Sequence, residues 1–180
     1  MLRHMIQTFI WRYDSALTSI VALLPVRLQA YSSRLGRMTL PSIWAAVLAV
    51  ACLVAAFNDY QKIALLGAAV IACIPIGTLL KLLVRRSRPK TIYAQNMKIK
   101  SYSFPSSHTY AATIGGGYFI IISLALLAPP VSIVVSVLLT VFVTMIGISR
   151  VHVGAHYPTD VTGGWLLGFA VLFAVVQLVF

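Results

Sequence analysis

Lys81 is followed after six residues by Arg88-Pro89. Farther along come Pro105-Ser106-Ser107-His108, and then Ser149-Arg150, five residues, His156, three residues and Asp160. These side chains suit metal-free phosphoryl transfer. Lys81, Arg88 and Arg150 could neutralise a phosphate and its pentacoordinate transition state, often the largest catalytic effect in such sites. Arginine suits the task because its planar fork binds phosphate oxygens bidentately. Pro105 and the serines before a long apolar run mark a helix start with a serine N-cap. The free N–H groups of such a first turn form an anion site, and the hydroxyls of Ser106 and Ser107 add donors. His108 then stands beside the phosphate, placed to protonate a leaving oxygen. His156 and Asp160 are four apart, so their side chains can meet even if Pro158 opens the last helix. An aspartate on one imidazole nitrogen fixes the tautomer and leaves the other nitrogen as nucleophile. The expected intermediate is a phosphohistidine at His156, later hydrolysed by water.

The elements that must position these residues are set by an apolar chain. Of the 180 residues 60% are hydrophobic and only 9% charged, and the mean hydropathy is +0.94. Soluble domains carry about 25% charge, so the composition predicts an integral membrane protein of one domain, residues 1–180. The net charge of +11 lies between apolar spans, which favours phosphate-bearing lipid and an anionic membrane surface as partners over nucleic acid. The carboxylates are Asp14, Asp59 and Asp160, with no Glu. That excludes a two-carboxylate glycosidase and argues against a carboxylate-held Mg²⁺ or Ca²⁺, so no metal or other cofactor is expected. Cys52 and Cys73 read as buried free thiols. Arg3, Arg12, Asp14 and Arg27 interrupt any cleavable signal sequence.

The spacing of Ile6, Phe9, Ile10, Tyr13, Leu17, Ile20, Val21 and Leu24 predicts an amphipathic helix lying in the membrane interface and ended by Pro25. Tyr31 to Arg37 is polar and basic and reads as a connector, so 1–38 forms the helix and connector and 41–180 a helical bundle. Five spans are expected, over Pro41–Phe57, Lys62–Val84, His108–Ala128, Val131–Ile148 and Val161–Phe180, each near the ~20 residues that cross the hydrocarbon. The class is therefore an all-α polytopic bundle. Alternating spans place the N-terminal helix, the 85–107 loop and the 149–160 connection on one face. All three polar segments thus land on the same side.

Together these segments resemble the type 2 phosphatidic acid phosphatase and vanadium haloperoxidase superfamily, in its membrane lipid phosphatase branch. Lys81, Arg88 and Pro89 match its first motif, Pro105, Ser106 and His108 its second, and Ser149, Arg150, His156 and Asp160 its third. Ser107 departs from the usual glycine and narrows the pocket, with consequences for rate or substrate choice. The resemblance covers about residues 60–175. It implies His156 as nucleophile, His108 as general acid, Asp160 as orienter of His156, and Lys81, Arg88, Arg150 and the Ser106-Ser107 backbone as phosphate holders. It also implies a six-span bundle in many members, of which this chain lacks the first span. The substrate it implies is a lipid phosphate or polyprenyl diphosphate, such as phosphatidate, phosphatidylglycerophosphate, undecaprenyl diphosphate or lipid A, with a bacterial carrier lipid preferred for so small a chain.

Other readings stand beside it. Phosphotransfer between lipids would use the same residues, and a non-catalytic lipid-binding scaffold would leave them idle. Haloperoxidase chemistry belongs to soluble, much longer relatives. Arg85, Arg86, Lys90, Lys98 and Lys100 read as snorkelling anchors, His152 as structural and His4 as interfacial. Gly115-Gly116-Gly117, Gly164 and Gly168 read as close helix packing. The expected location is a bacterial cytoplasmic membrane. All Lys and Arg but Lys62 fall on the site's face, which favours the cytoplasmic side, whereas the resemblance favours the outer one. Nothing in the sequence sets an oligomeric state.

Overall fold

A computed structural model describes residues 2–97 and 101–180, with only the backbone of Leu2–His4 and of Ile6; Lys98, Lys100 and the His4 side chain lie outside it. The regular elements of the described residues are all helical: α1 Leu2–Val21, a 3-10 turn Val26–Leu28, α2 Gln29–Met38, α3 Pro41–Phe57, α4 Gln61–Cys73, α5 Ile76–Val84, α6 Ile92–Gln95, α7 Ser107–Leu126, α8 Pro129–His152 and α9 Pro158–Val179. Prolines open α3, α8 and α9 at the first helical position, where the missing N–H would have had no intrahelical partner. The α3–α4 turn is closed by Asp59 in the left-handed region, at φ 62°.

Four helical stretches are long and apolar enough to cross a membrane: Gln61–Val84, Ser107–Leu126, Pro129–His152 and Pro158–Val179. α3 has 17 residues, and it makes a fifth crossing only together with Val26–Met38, to which it is bent by 50°. The protein is thus an all-α membrane bundle. Its second expected span is broken at Ile74-Pro75, where proline cannot donate to the helix. Tyr110 mends the break by donating its hydroxyl to the Cys73 carbonyl at 2.8 Å.

α7 runs through the centre. Over its most apolar stretch 56% of residues are buried, against 17% for α8. Tyr110, Ile114 and Tyr118 of α7 pack with Leu48 of α3 and with Leu66 and Val70 of α4. Gly115, Gly116 and Gly117 bear on Trp44, Val143 and Leu172 in turn, and a β-carbon on any of them would come within 2.7 Å of its neighbour. Three successive positions therefore seat α3, α8 and α9 against one helix. α8 leaves Ile133, Val137, Leu138 and Val141 exposed, as a lipid-facing helix must.

The expected connector at 31–37 is instead most of α2, which packs against α8. Its polar residues are spaced for a helix with one face on protein: Gly36 is buried while Arg34 and Arg37 stay outside. The last turn of α8 continues past Ile148 to His152, because Arg150 and His152 point into protein and not into lipid.

Candidate active site

His156 lies on the short connection between α8 and α9, not on a continuous helix with Asp160. The connection is pinned at both ends. The N–H groups of Ala155 and His156 donate to the Arg150 carbonyl at 3.0 and 3.2 Å. Gly154 takes the left-handed backbone, φ 71°, and its carbonyl accepts the Thr91 hydroxyl at 2.7 Å. At the start of α9, Asp160 folds back so that Oδ2 accepts the Tyr157 N–H at 2.8 Å. The same oxygen lies 3.4 Å from His156 Nδ1 and accepts the Ser103 hydroxyl.

The other imidazole nitrogen, Nε2, lies 3.2 Å from Arg88 Nη1. A guanidinium has donors only, so Nε2 presents its lone pair there. The proton of the neutral ring therefore sits on Nδ1, facing Asp160. His156 is 3% exposed, and burial, the main cause, pushes its pKa down to about 4 against the opposing hydrogen bond that Nδ1 donates to Asp160. The ring is thus neutral at pH 7, with its lone pair aimed at a cation.

Arg88 is held by carbonyls, donating to Ser101 at 2.8 Å and to Ala155 at 2.8 Å. Lys81, 4% exposed on α5, donates to the Tyr102 carbonyl at 2.9 Å. Arg150, 2% exposed, donates through Nε to Ser149 Oγ at 3.1 Å and through Nη2 to the Ser32 carbonyl of α2. His108, in the first turn of α7, lies near enough to Arg150, His156 and Lys81 to feel their charges, and its ring faces the Gly36 backbone. The structure therefore brings Lys81, Arg88, His108, Arg150, His156 and Asp160 to one place.

Ser106 and Ser107 divide their roles. Ser106 donates its N–H to the Asp160 carbonyl at 2.9 Å, and its hydroxyl caps α7 toward Thr109. It locks α7 to α9. Among the described residues no backbone carbonyl takes the N–H groups of Ser107 and His108.

Several neighbours escaped the sequence reading. Arg86 is not a snorkelling anchor: it donates to Asp160 Oδ1 at 2.7 Å and to Asp14 Oδ2 at 2.6 Å, and stacks 4.2 Å over the Tyr157 ring. Ser103 was hidden because a lone serine in a polar loop carries no signal. α2 was hidden by its polarity, yet it walls the site. Ser32 Oγ meets His152 Nδ1 at 2.9 Å, which gives His152 the structural place expected of it. A β-carbon at Gly36 would stand 1.8 Å from an Arg150 nitrogen.

A sequence profile of the PAP2 superfamily matches residues 62–180. The chain is 30% identical over 156 residues to an undecaprenyl-diphosphatase of Sulfolobus acidocaldarius, covering 84% of this chain and 69% of that one. It is 34% identical over 103 residues to phosphatidylglycerophosphatase B of Bacillus subtilis, covering 56% of this chain and 49% of that relative. Its fold matches the crystal structure of a transmembrane PAP2-type phosphatidylglycerolphosphate phosphatase from Bacillus subtilis, with TM-score 0.71 at 24% identity, over 94% of this chain and 85% of that one. It also matches Aquifex aeolicus LpxE, with TM-score 0.66 at 14% identity, over 90% and 93%. By sequence over two thirds of its length, and by fold over nearly all of it, the chain belongs to the PAP2 superfamily of membrane phosphatases.

Proposed function

We propose that this protein removes phosphate from a lipid phosphate or polyprenyl diphosphate through a phosphohistidine at His156, without a metal ion. The family makes it a hydrolase of the lipid phosphatase kind. The names of its relatives put undecaprenyl diphosphate and phosphatidylglycerophosphate first among candidate substrates. The observation that carries the mechanism is the orientation of His156, with Nδ1 toward Asp160 and Nε2 toward Arg88.

In the forward step the Nε2 lone pair attacks phosphorus as the ester or anhydride oxygen leaves. In the complex with the anionic phosphate His108 carries a proton, and gives it to that oxygen. Lys81, Arg88 and Arg150 neutralise the equatorial oxygens, and the Ser107 and His108 N–H groups add donors. Asp160 stabilises the positive ring that forms on His156. Water activated by the now neutral His108 then attacks the phosphohistidine, releasing inorganic phosphate and returning His156 to the neutral ring. The test of metal independence bears on Asp160, whose oxygens already serve Arg86, Ser103, Tyr157 and His156.

Purified protein in detergent, given a panel of lipid phosphates with EDTA present, is expected to release phosphate. His156→Ala should lower the rate by at least about 10³-fold, the scale of losing an essential nucleophile. Release that needs added Mg²⁺, or that survives His156→Ala, would overturn the mechanism. A phosphorylated acceptor lipid in place of free phosphate would reassign the chain to transfer.

A further inference from the structure

Only three carboxylates exist in the chain, and two of them, Asp14 and Asp160, grip the same guanidinium. Asp14 belongs to α1, outside the region matched by the superfamily profile. It is 6% exposed. Its Oδ1 accepts the Thr159 N–H at 2.8 Å and the Thr159 hydroxyl at 2.9 Å, while Oδ2 binds Arg86. Tyr13 beside it meets Thr162 at 3.0 Å. α1 is thereby fastened to the first turn of α9, the turn that carries Asp160.

The charges matter more than the fastening. Asp160 must present negative charge to His156 when that ring becomes positive. Arg86, 2.7 Å from the other oxygen of the same carboxylate, would cancel that charge if it stood alone. Asp14 cancels Arg86 in turn and leaves the three-residue cluster with one net negative charge. In a buried site of low effective dielectric such balances are felt strongly.

We infer that Asp14 is a positioning residue for the phosphatase reaction, acting through Arg86 to keep Asp160 an effective counter-charge for His156. This rests on the reading of His156 as nucleophile given above. It makes the N-terminal helix part of the chemical apparatus and not only a membrane attachment.

The test is histidine-selective NMR titration of the full chain in detergent, with the His156 signal assigned from His156→Gln. Other groups facing His156 are Arg88 from the loop after α5, Lys81 from α5 and His108 from α7, besides Asp160 itself, and all stay constant across the series. Asp14→Asn keeps an acceptor for the Thr159 N–H but removes the charge and the oxygen to which Arg86 donates, so His156 should titrate lower than in wild type. Arg86→Gln should make it titrate higher, by about one pH unit, the size of a close buried charge effect. The double variant should return close to wild type, because one net negative charge is restored. Arg86→Lys, which keeps the charge and loses the fork, should stay near wild type and covers the case in which Asp14→Asn does not fold.

Phosphate release measured in parallel should fall about tenfold in kcat for Asp14→Asn, with KM within about twofold, and recover in the double variant. Identical titration in all variants, or both single substitutions moving His156 the same way, would overturn the inference. Persisting activity in His156→Ala would instead overturn the nucleophile assignment, and the order of titrations would still judge the coupling.

Discussion

Arg86 shows where residue types mislead. It sits in an Arg-Arg pair at the end of an apolar span, the usual place of a snorkelling side chain, and only geometry reveals two carboxylates on it. A signal was nonetheless present: an aspartate at position 14 inside an otherwise apolar stripe needs a partner, and a chain so poor in acids does not keep one idle. The residues of the three motifs stood out in the sequence through their spacing and the resemblance it carries, and Lys81, Arg88, His108, Arg150, His156 and Asp160 converge in the structure. What spacing did not show was the division of labour, with Ser106 locking helices and His156 Nε2 turned to Arg88. At this scale pH gives a direct check. His156 must be neutral to attack, and its pKa is pushed down to about 4 by burial. Protonation therefore removes the nucleophile only in acid. Loss of kcat/KM through protonation of His156 should therefore appear, in a pH-rate series, only as pH drops through about 4; loss of the nucleophile with a midpoint near 6.5 would mean an unperturbed ring.

α2 is the element that sequence reasoning handled worst, and the reason is physical. Its apolar content is low, so local pattern predicts no buried face; the helix is stabilised by what it touches, the end of α8 and the guanidinium of Arg150. The long apolar helices were legible because twenty such residues have few alternatives in a bilayer. Their ends were not, since Arg150 and His152 looked like residues beyond the membrane although they complete α8. Gly36 offers the test at this scale. Alanine there would place a β-carbon on the Arg150 guanidinium, the mobile end of a long side chain, so Arg150 should move while the fold persists. Gly36→Ala is expected to raise KM about tenfold, a loss of about 1.4 kcal/mol of phosphate binding, while the melting temperature changes by no more than ~2–4 °C. An unchanged KM would remove α2 from the binding site.

In the whole molecule, the site is assembled from parts that feel the bilayer unequally. His108 rides on α7, the most sheltered span, whereas Arg150 ends α8, whose sides are mostly open to lipid. Hydrophobic mismatch acts through lipid-facing side chains and is relieved by tilting. A thicker or thinner bilayer is therefore expected to act first on α8, carrying Arg150 and the His156 connection pinned to its carbonyl together relative to His108 on α7. In vesicles of phosphatidylcholines with graded acyl length, kcat/KM should pass through a maximum at one thickness; an equal value at every length would sink the idea. On the proposed mechanism, a site shared between two helices of such unequal lipid exposure would make membrane thickness a variable of the reaction itself.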